Sequence, residues 1–404
     1  MHAITSATGP QAQTRGWWMW ICVAALAALY IPSTLPTPLY PLYRQQFGFS
    51  ELVVTAIYAS YVVGNLAVLF TLGRLSDQIG RRPTSLMAGA ILLVSTLCFL
   101  LADSSGWLFA ARILNGLSAG LGASALTAWV AELEPHHDRA RAAIVASSGN
   151  LAGLMIGAII AGALGQWAPW PLRSSYVLFL VLLLAIVLML RVAPEGVRRV
   201  VRNPKQLSLR PRLGVPREIR AAFIAPAAIA FAAFALGGFY AALTPGLLSQ
   251  SLHISNRALI GGVVALFFGG GAIAAAAVPH GSNRFSIALA TLASLIGLAL
   301  LLVAEQRESL PLLVASAIGG GTGMGIGYRS SLRIINEIAP EAQRAEVVST
   351  FLLVCYTGNA LPVIGVGLLS LAVGAFMAHL MLACLLGLLG LIACAAGWKF
   401  LPRE

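Results

Sequence analysis

The chain has 404 residues, 58% of them hydrophobic and 10% charged, with a mean hydropathy of +0.85 and a net charge of +12. Soluble domains sit near 45–50% apolar with about a quarter charged, so this composition excludes a soluble fold. The basic excess also does not make a nucleic-acid binder, because its positions follow a membrane topology, as the chain order shows.

A hydrocarbon core of about 30 Å takes about 20 apolar residues as a helix. Polar punctuation divides the chain into twelve such runs: 17–43, 52–72, 85–102, 107–131, 142–164, 174–193, 221–248, 258–278, 285–304, 311–333, 346–373 and 375–398. Backbone groups in lipid are satisfied within the segment, and runs this continuous do not alternate as barrel strands do, so the spans are helices. The expectation is an all-α integral membrane protein of twelve transmembrane helices, with span 1 a retained helix rather than a cleaved leader. With a cytoplasmic N-terminus, nineteen of the 26 Lys and Arg fall inside and four (Arg44, Arg173, Arg257, Arg307) outside. That is the positive-inside bias, and it places both termini in the cytoplasm.

Span 1 carries prolines at 32, 36, 38 and 41 within Tyr30–Tyr43. A helix so interrupted survives in a membrane only where protein or a water-filled cavity satisfies the freed backbone. Tyr30, Thr34 and Thr37 share one face there and read as cavity lining. Span 2 repeats the pattern with Tyr58, Tyr61 and Asn65. Between spans 2 and 3 lies a polar knot, Gly73 to Pro83, holding Asp77, Gly80, Arg81 and Arg82. Span 4 contains an intramembrane Arg112 followed by Asn115 and Gly116. Such a charge is costly in lipid and is a functional-site expectation by default. The loop after it runs Glu132 to Arg141 and includes His136 and His137, which lack further ligands at zinc spacing. Span 5 offers Asn150 and a stripe of glycines, Gly153, Gly157, Gly162 and Gly165, suited to helix contact. Span 6 is featureless and peripheral.

Residues 194–220 form the one sizeable non-membrane segment, a basic linker too short for a domain. After it the first half recurs. At an offset of 205, Gly116, Gly120 and Gly122 meet Gly321, Gly325 and Gly327, and Glu132, Pro135 and Arg139 meet Glu337, Pro340 and Arg344. At 207, Thr37-Pro38 meets Thr244-Pro245. The chain therefore divides into a six-helix bundle at 1–193, the linker at 194–220, and a second bundle at 221–404. The knot is the exception: its counterpart, Pro279 to Arg284, puts Ser282 where Asp77 stands and lacks the arginine pair. In span 7 Tyr240 and Thr244 share a face, as do Tyr356 and Asn359 in span 11. Arg329 reads as snorkelling toward the cytoplasm, and His379 as a packing histidine. The five cysteines lie within spans without CxxC spacing and read as apolar packing. None of the fourteen acids falls in the middle of a span; Glu51 and Glu132 come nearest.

Gly73-x-Leu75-x-Asp77-x-x-Gly80-Arg81-Arg82 resembles the signature of the major facilitator superfamily between helices 2 and 3. Arg112-x-x-Asn115-Gly116 resembles its helix-4 motif, and the Pro135–Arg139 loop with its Pro340–Arg344 echo fits as well. The resemblance covers essentially the whole chain. It implies two pseudo-symmetric six-helix bundles that rock about a midplane cavity lined by helices 1, 4, 7 and 10, and a proton- or ion-coupled carrier. Helix 5 resembles the family's glycine-rich exporter motif, with Ala158 in place of proline after Gly157. Implied with it are a small-molecule substrate, protons as partner, surrounding lipid, a monomer in the cell inner membrane, and neither cofactor nor enzymatic activity. The sequence shows no HExxH, no Ser/His/Asp set and no intramembrane aspartate pair. Asp77, Arg81 and Glu132 then read as a gate rather than a substrate site. Gly73 would let helix 2 approach helix 11 when the outward side is open. Export by antiport is the first expectation; uptake or uniport of a neutral or anionic metabolite is the alternative, with a non-transporting receptor behind both. An arginine in the cavity without an acid suits a carboxylate-bearing substrate better than a cation.

Overall fold

The computed structural model describes residues 10–73, 75–195, 213–277 and 281–401. Most of the basic linker (196–212), Arg74 and Pro279–His280 lie outside them, as do the side chains of Arg139 and Ala140. Among the described residues, twelve helices are long and apolar enough to cross a membrane. The first is broken. α1 (Pro10–Thr34) gives way to a 3₁₀ turn at Thr37–Leu39, and α2 (Tyr40–Phe47) completes the crossing, so this span runs beyond the expected 43. The cause is local: Pro36 and Pro38 lack the N–H groups that would meet Pro32 O and Thr34 O.

The first half continues with α3 (Glu51–Thr71), a short α4 (Leu75–Ile79) inside the polar knot, α5 (Arg81–Leu100), α6 (Ser105–Leu133), α7 (Arg139–Trp167) and α8 (Ser174–Val192). The second comprises α9 (Arg220–Ala242), a short α10 (Thr244–Gly246) running into a π-helical turn at Leu247–Ser251, α11 (Arg257–Ala277), α12 (Asn283–Gln306), α13 (Leu310–Ile338), α14 (Arg344–Val373) and α15 (Ala375–Phe400). With twelve crossings, the first and last described residues, Pro10 and Leu401, and the knot lie at one end of the molecule, called here the basic end.

Each half is a six-helix bundle, and the two are built alike at the level of single contacts. A Cβ at Gly116 of α6 would lie 2.0 Å from Tyr61 O of α3, and one at Gly321 of α13 would lie 2.1 Å from Phe267 O of α11. Tyr61 and Phe267 are offset by nearly the same spacing as the two glycines. Only glycine permits backbones to cross this closely, which is why the repeat is legible in glycines first. Burial sorts the helices into central and peripheral: α8 is largely exposed on the outside of its bundle, whereas most of the first span is buried.

The halves meet chiefly through α7 against α11 and α3 against α14. A Cβ at Gly261 would lie 2.4 Å from Ala158 O, and one at Gly367 would lie 2.7 Å from Thr55 Oγ1. Thr37 Oγ1 donates to Ala241 O at 2.8 Å, Arg257 donates from its N and Nη1 to Gln166 Oε1 and Gly165 O at 2.9 Å each, and Gln250 reaches Glu51 at 3.3 Å. All of these lie between mid-membrane and the end opposite the basic one. The seam is thus closed at that far end.

Candidate functional site

Three helices of the first half converge on Arg112. Its side chain is fully buried. Nη1 donates to Ser33 O at 2.9 Å and Pro32 O at 3.3 Å, so the break in α1 supplies the acceptor that an intact helix would have used internally. The guanidinium carbon stands 4.9 Å over the Tyr58 ring and 5.8 Å from the Tyr61 ring. Nε and Nη2 make no well-formed hydrogen bond, nor does Asn115 Nδ2; the Tyr40 hydroxyl, which also lacks one, lies close enough to the guanidinium to interact with it. Asn115 Oδ1 accepts from Ser33 at 3.4 Å, and Asn65 Nδ2 donates to Tyr61 Oη at 3.2 Å. Tyr58 Oη donates across the seam to Asn359 Oδ1 of α14 at 3.0 Å. A buried cation with two unmet donors, flanked by further unmet polar groups, is an arrangement suited to an anionic or hydrogen-bond-accepting ligand.

On the basic side of this cluster the two halves present tyrosines to each other at mid-span. Tyr30 of α1 is set among Tyr61, Asn150 of α7 and Tyr328 of α13. Tyr356 of α14 faces Tyr30, Tyr61 and Asn65. Phe234 of α9 packs edge-on against both Tyr328 and Tyr356, at 5.2 and 6.0 Å. Tyr30, Asn150, Phe234, Tyr328 and Tyr356 keep partial exposure although each sits in the middle of a membrane span.

The faces read from sequence split once neighbours are known. Tyr30, Tyr58, Tyr61, Asn65, Asn115, Asn150, Tyr356 and Asn359 belong to this central region. Thr34 does not: it is buried and donates to Leu154 O at 2.6 Å, pinning α1 to α7. Thr37 joins the halves instead. Tyr240 is buried within the second half, where its hydroxyl meets Ser316 at 2.5 Å and its ring stacks on Phe267 at 4.2 Å. Thr244 is buried with Oγ1 unpartnered. Phe234 and Tyr328 escaped the sequence reading because aromatic residues in an apolar helix carry no polar signal.

The knot at the basic end is a second cluster. Arg81 Nε meets Glu132 Oε1 at 3.0 Å, and Nη1 meets Asp77 Oδ1 at 2.5 Å and Ser76 at 2.8 Å. The Asp77 side chain is 60% exposed, that of Arg81 13%. Gly80 has φ +106°, and a Cβ there would lie 2.8 Å from Glu195 Oε2, so both backbone and space require glycine. Glu195 accepts from the backbone N–H of Arg81 at 3.2 Å and of Arg82 at 2.8 Å, holding a carboxylate on the N-terminus of α5. Arg82 in turn donates to Ala193 O at 3.4 Å, and Trp129 Nε1 to Pro194 O at 3.1 Å. Glu195 was legible only as part of the linker, yet it ties the end of the sixth span to the knot. A Cβ at Gly73 would meet only Leu69 of its own helix, so its approach to α14 is not part of this arrangement.

A sequence profile described as Major Facilitator Superfamily matches residues 22–361. The chain belongs to that superfamily. It is a multi-pass membrane protein of a transporter family, not an enzyme. Among curated proteins it resembles the MFS efflux transporter aclA of Aspergillus oryzae, at 31% identity over 163 residues, 39% of this chain and 29% of the relative. It also resembles the multidrug resistance protein MdtL of Klebsiella pneumoniae, at 30% over 102 residues, 25% of this chain and 26% of the relative. The matches thus span little more than a quarter of either relative's length. Among solved structures it is similar to a bacterial homolog of the human lysosomal transporter Spinster in an inward-facing, unoccupied conformation, with a TM-score of 0.71 at 14% identity over 98% of both chains. At that identity the likeness is one of fold.

Proposed function

We propose that this chain is a secondary carrier that exports a small amphipathic molecule in exchange for protons, by alternating access. The bundles 1–193 and 221–404 are the moving bodies, and 194–220 is the basic linker between them. The basic end, with both termini, faces the cytoplasm of a cell bounded by this inner membrane, in keeping with the distribution of Lys and Arg. On that orientation the closed far end makes this an inward-facing state, the state named for the structural neighbour. The observation that carries the reading is the one-sided seam with an unsatisfied polar cluster at its apex. Export follows the two curated relatives, one named for efflux and one for multidrug resistance.

The substrate enters from the tyrosine-lined side and reaches Arg112 through Tyr58 and Tyr61. With a cation at the apex and no acid among the central residues, the favoured cargo is neutral or anionic. The same observation supports the second reading, uptake or uniport of a neutral or anionic metabolite. Asp77, Arg81, Arg82 and Glu132, with Gly73 and Gly80, belong to a cytoplasmic latch and not to a binding site; the Arg81 pairs with Glu132 and Asp77 join elements of the first half alone and are formed with the far end closed, so the latching contact is one that Asp77 makes across the seam when the cytoplasmic end shuts.

Purified protein in proteoliposomes, assayed with a panel of neutral, anionic and cationic amphipaths under a pH gradient of either polarity, tests this. The expected result is flux of a neutral or anionic compound that depends on the gradient and is lost in Arg112→Ala. Absence of flux for every compound in both directions overturns it.

A further inference from the structure

Arg112 engages the broken first span through one nitrogen alone. Nη1 serves both carbonyls, Ser33 O at 2.9 Å and Pro32 O at 3.3 Å. The other edge of the guanidinium, Nε with Nη2, makes no well-formed hydrogen bond. These two N–H groups lie side by side and point the same way, a fork that takes both oxygens of one planar carboxylate. Asn115 Nδ2, one turn along the same face of α6 and likewise unmatched, adds a third donor. The neighbouring Tyr40 hydroxyl is neutral and leaves the charge uncompensated.

Toward the basic end the lining changes to rings contributed by both halves. Tyr30 and Tyr61 of the first half face Tyr356 of the second, and Tyr328 lies against Tyr30. Phe234 stands at 68° to Tyr328 and 85° to Tyr356, with centroids 5.2 and 6.0 Å away. Tyr328 is backed by a parallel Phe351 at 6.4 Å, which fixes its plane. Rings held at right angles offer faces and edges to whatever lies between them, a corner that suits a flat ring system. Phe234, Tyr328, Tyr356 and Tyr30 all keep partial exposure there.

The charge of the region is that of Arg112. Among the described residues no acid faces these rings. Glu305, which α12 carries past the expected end of its span at 304, is taken up by His379 at 2.8 Å inside the second half. Arg329, next to Tyr328 in sequence, donates to Ala275 O of α11. A single negative charge therefore matches the site, whereas a second would be buried without a partner.

We propose that the cargo is an aromatic monocarboxylate, whose carboxylate seats on the Nε and Nη2 edge of Arg112 and whose flat body lies among Tyr30, Phe234, Tyr328 and Tyr356. Tyr61, which touches both groups, turns aside as the carboxylate seats. Phe234 and Tyr328 then determine specificity for the body, and Arg112 for the charge. A saturated acid of the same size keeps the ion pair and loses the ring contacts. A neutral aromatic keeps the rings and loses the fork.

The inference rests on the carrier reading above and narrows its cargo. Purified protein in lipid nanodiscs, with empty nanodiscs as background, is titrated at neutral pH with tritiated 2-naphthoate. Bound label is displaced by decahydro-2-naphthoate, which keeps the carboxylate and carbon skeleton but is neither flat nor aromatic, by the neutral 2-naphthylmethanol, and by the cationic (2-naphthylmethyl)trimethylammonium. 2-Naphthoate should bind about tenfold or more tightly than each competitor. Phe234→Leu and Tyr328→Leu should each shrink the aromatic-to-saturated ratio to about threefold or less and keep the preference for acid over alcohol; either serves where the other does not fold. Arg112→Met should erase the preference for acid over alcohol. Equal affinity for the aromatic and saturated acids, or a wild-type ratio in both leucine variants, overturns the aromatic assignment. Tighter binding of the alcohol or the ammonium overturns the carboxylate. If 2-naphthoate does not bind, the inference fails; flux of another compound in the liposome panel then leaves the carrier standing, and flux of none overturns both.

Discussion

Replacing Arg112 by Met separates a ligand-binding arginine from one that only caps the break in α1. The exchange removes hydrogen bonds to two carbonyls, at 2.9 and 3.3 Å. Bonds of this charged kind contribute about 1.5–3 kcal/mol each, and stacking over Tyr58 adds about 1 kcal/mol. Against that, it relieves the burial of a cation whose Nε and Nη2 make no well-formed hydrogen bond, a penalty of roughly several kcal/mol. The opposing contributions cancel to within about 2 kcal/mol, so the melting temperature should move by only about 2–8 °C. Binding behaves differently. A ligand that used both free donors loses two charge-assisted bonds, and at about 1.4 kcal/mol per factor of ten its affinity should fall by about a hundredfold or more. Arg112→Lys keeps the charge, loses the fork, and should fall between. Thermal unfolding and equilibrium binding of the compound found in the liposome panel read the two effects apart. Unchanged affinity together with a large loss of stability would refute the ligand role and leave Arg112 as a cap.

Asp77→Asn should leave folding intact, since an exposed ion pair contributes about 0–1 kcal/mol, while slowing turnover and biasing cysteine accessibility toward the state open at the basic end. Wild-type flux and accessibility would remove the knot from the gate. Glu195→Ala strips the N-terminus of α5 of its carboxylate and should cost about 1–2 kcal/mol in unfolding measurements, as lost helix caps do; an unchanged midpoint would contradict the anchoring role. Gly116→Ala and Gly321→Ala should each destabilise by about 1–3 kcal/mol through overpacking, because both methyl groups meet a backbone oxygen at about 2 Å. Unequal effects would mean that the two halves do not carry equivalent contacts.

What could be read from the chain alone follows from how each signal arises. Continuous apolar runs and the glycine repeat exposed the twelve helices and their two halves, because lipid enforces helix and close crossings enforce glycine. Arg112 stood out because a charge in a span is rare, and the prolines of span 1 announced a break. The sequence did not tell which side chain meets the freed carbonyls, since that depends on α6 packing against α1. Thr34 shares a face with the central Tyr30 yet turns to Leu154, and Tyr240 turns to Ser316 within its own half, choices made by neighbouring helices. Glu195 and Glu305 were hidden for a different reason. Each lies at the end of an apolar run, where composition cannot say whether the chain turns into solvent or folds back on the bundle.

The central claim is that the far-end seam must open for transport. A Cβ at Gly367 of α14 would lie 2.7 Å from Thr55 Oγ1 and 3.0 Å from its Cγ2 in α3, so cysteines at the two positions come within the Cβ separation of about 3.5–4.5 Å that a disulfide needs. Flux through T55C/G367C protein in proteoliposomes should vanish on oxidation and return on reduction, with each single variant indifferent to both. Undiminished flux through fully cross-linked protein would contradict the account.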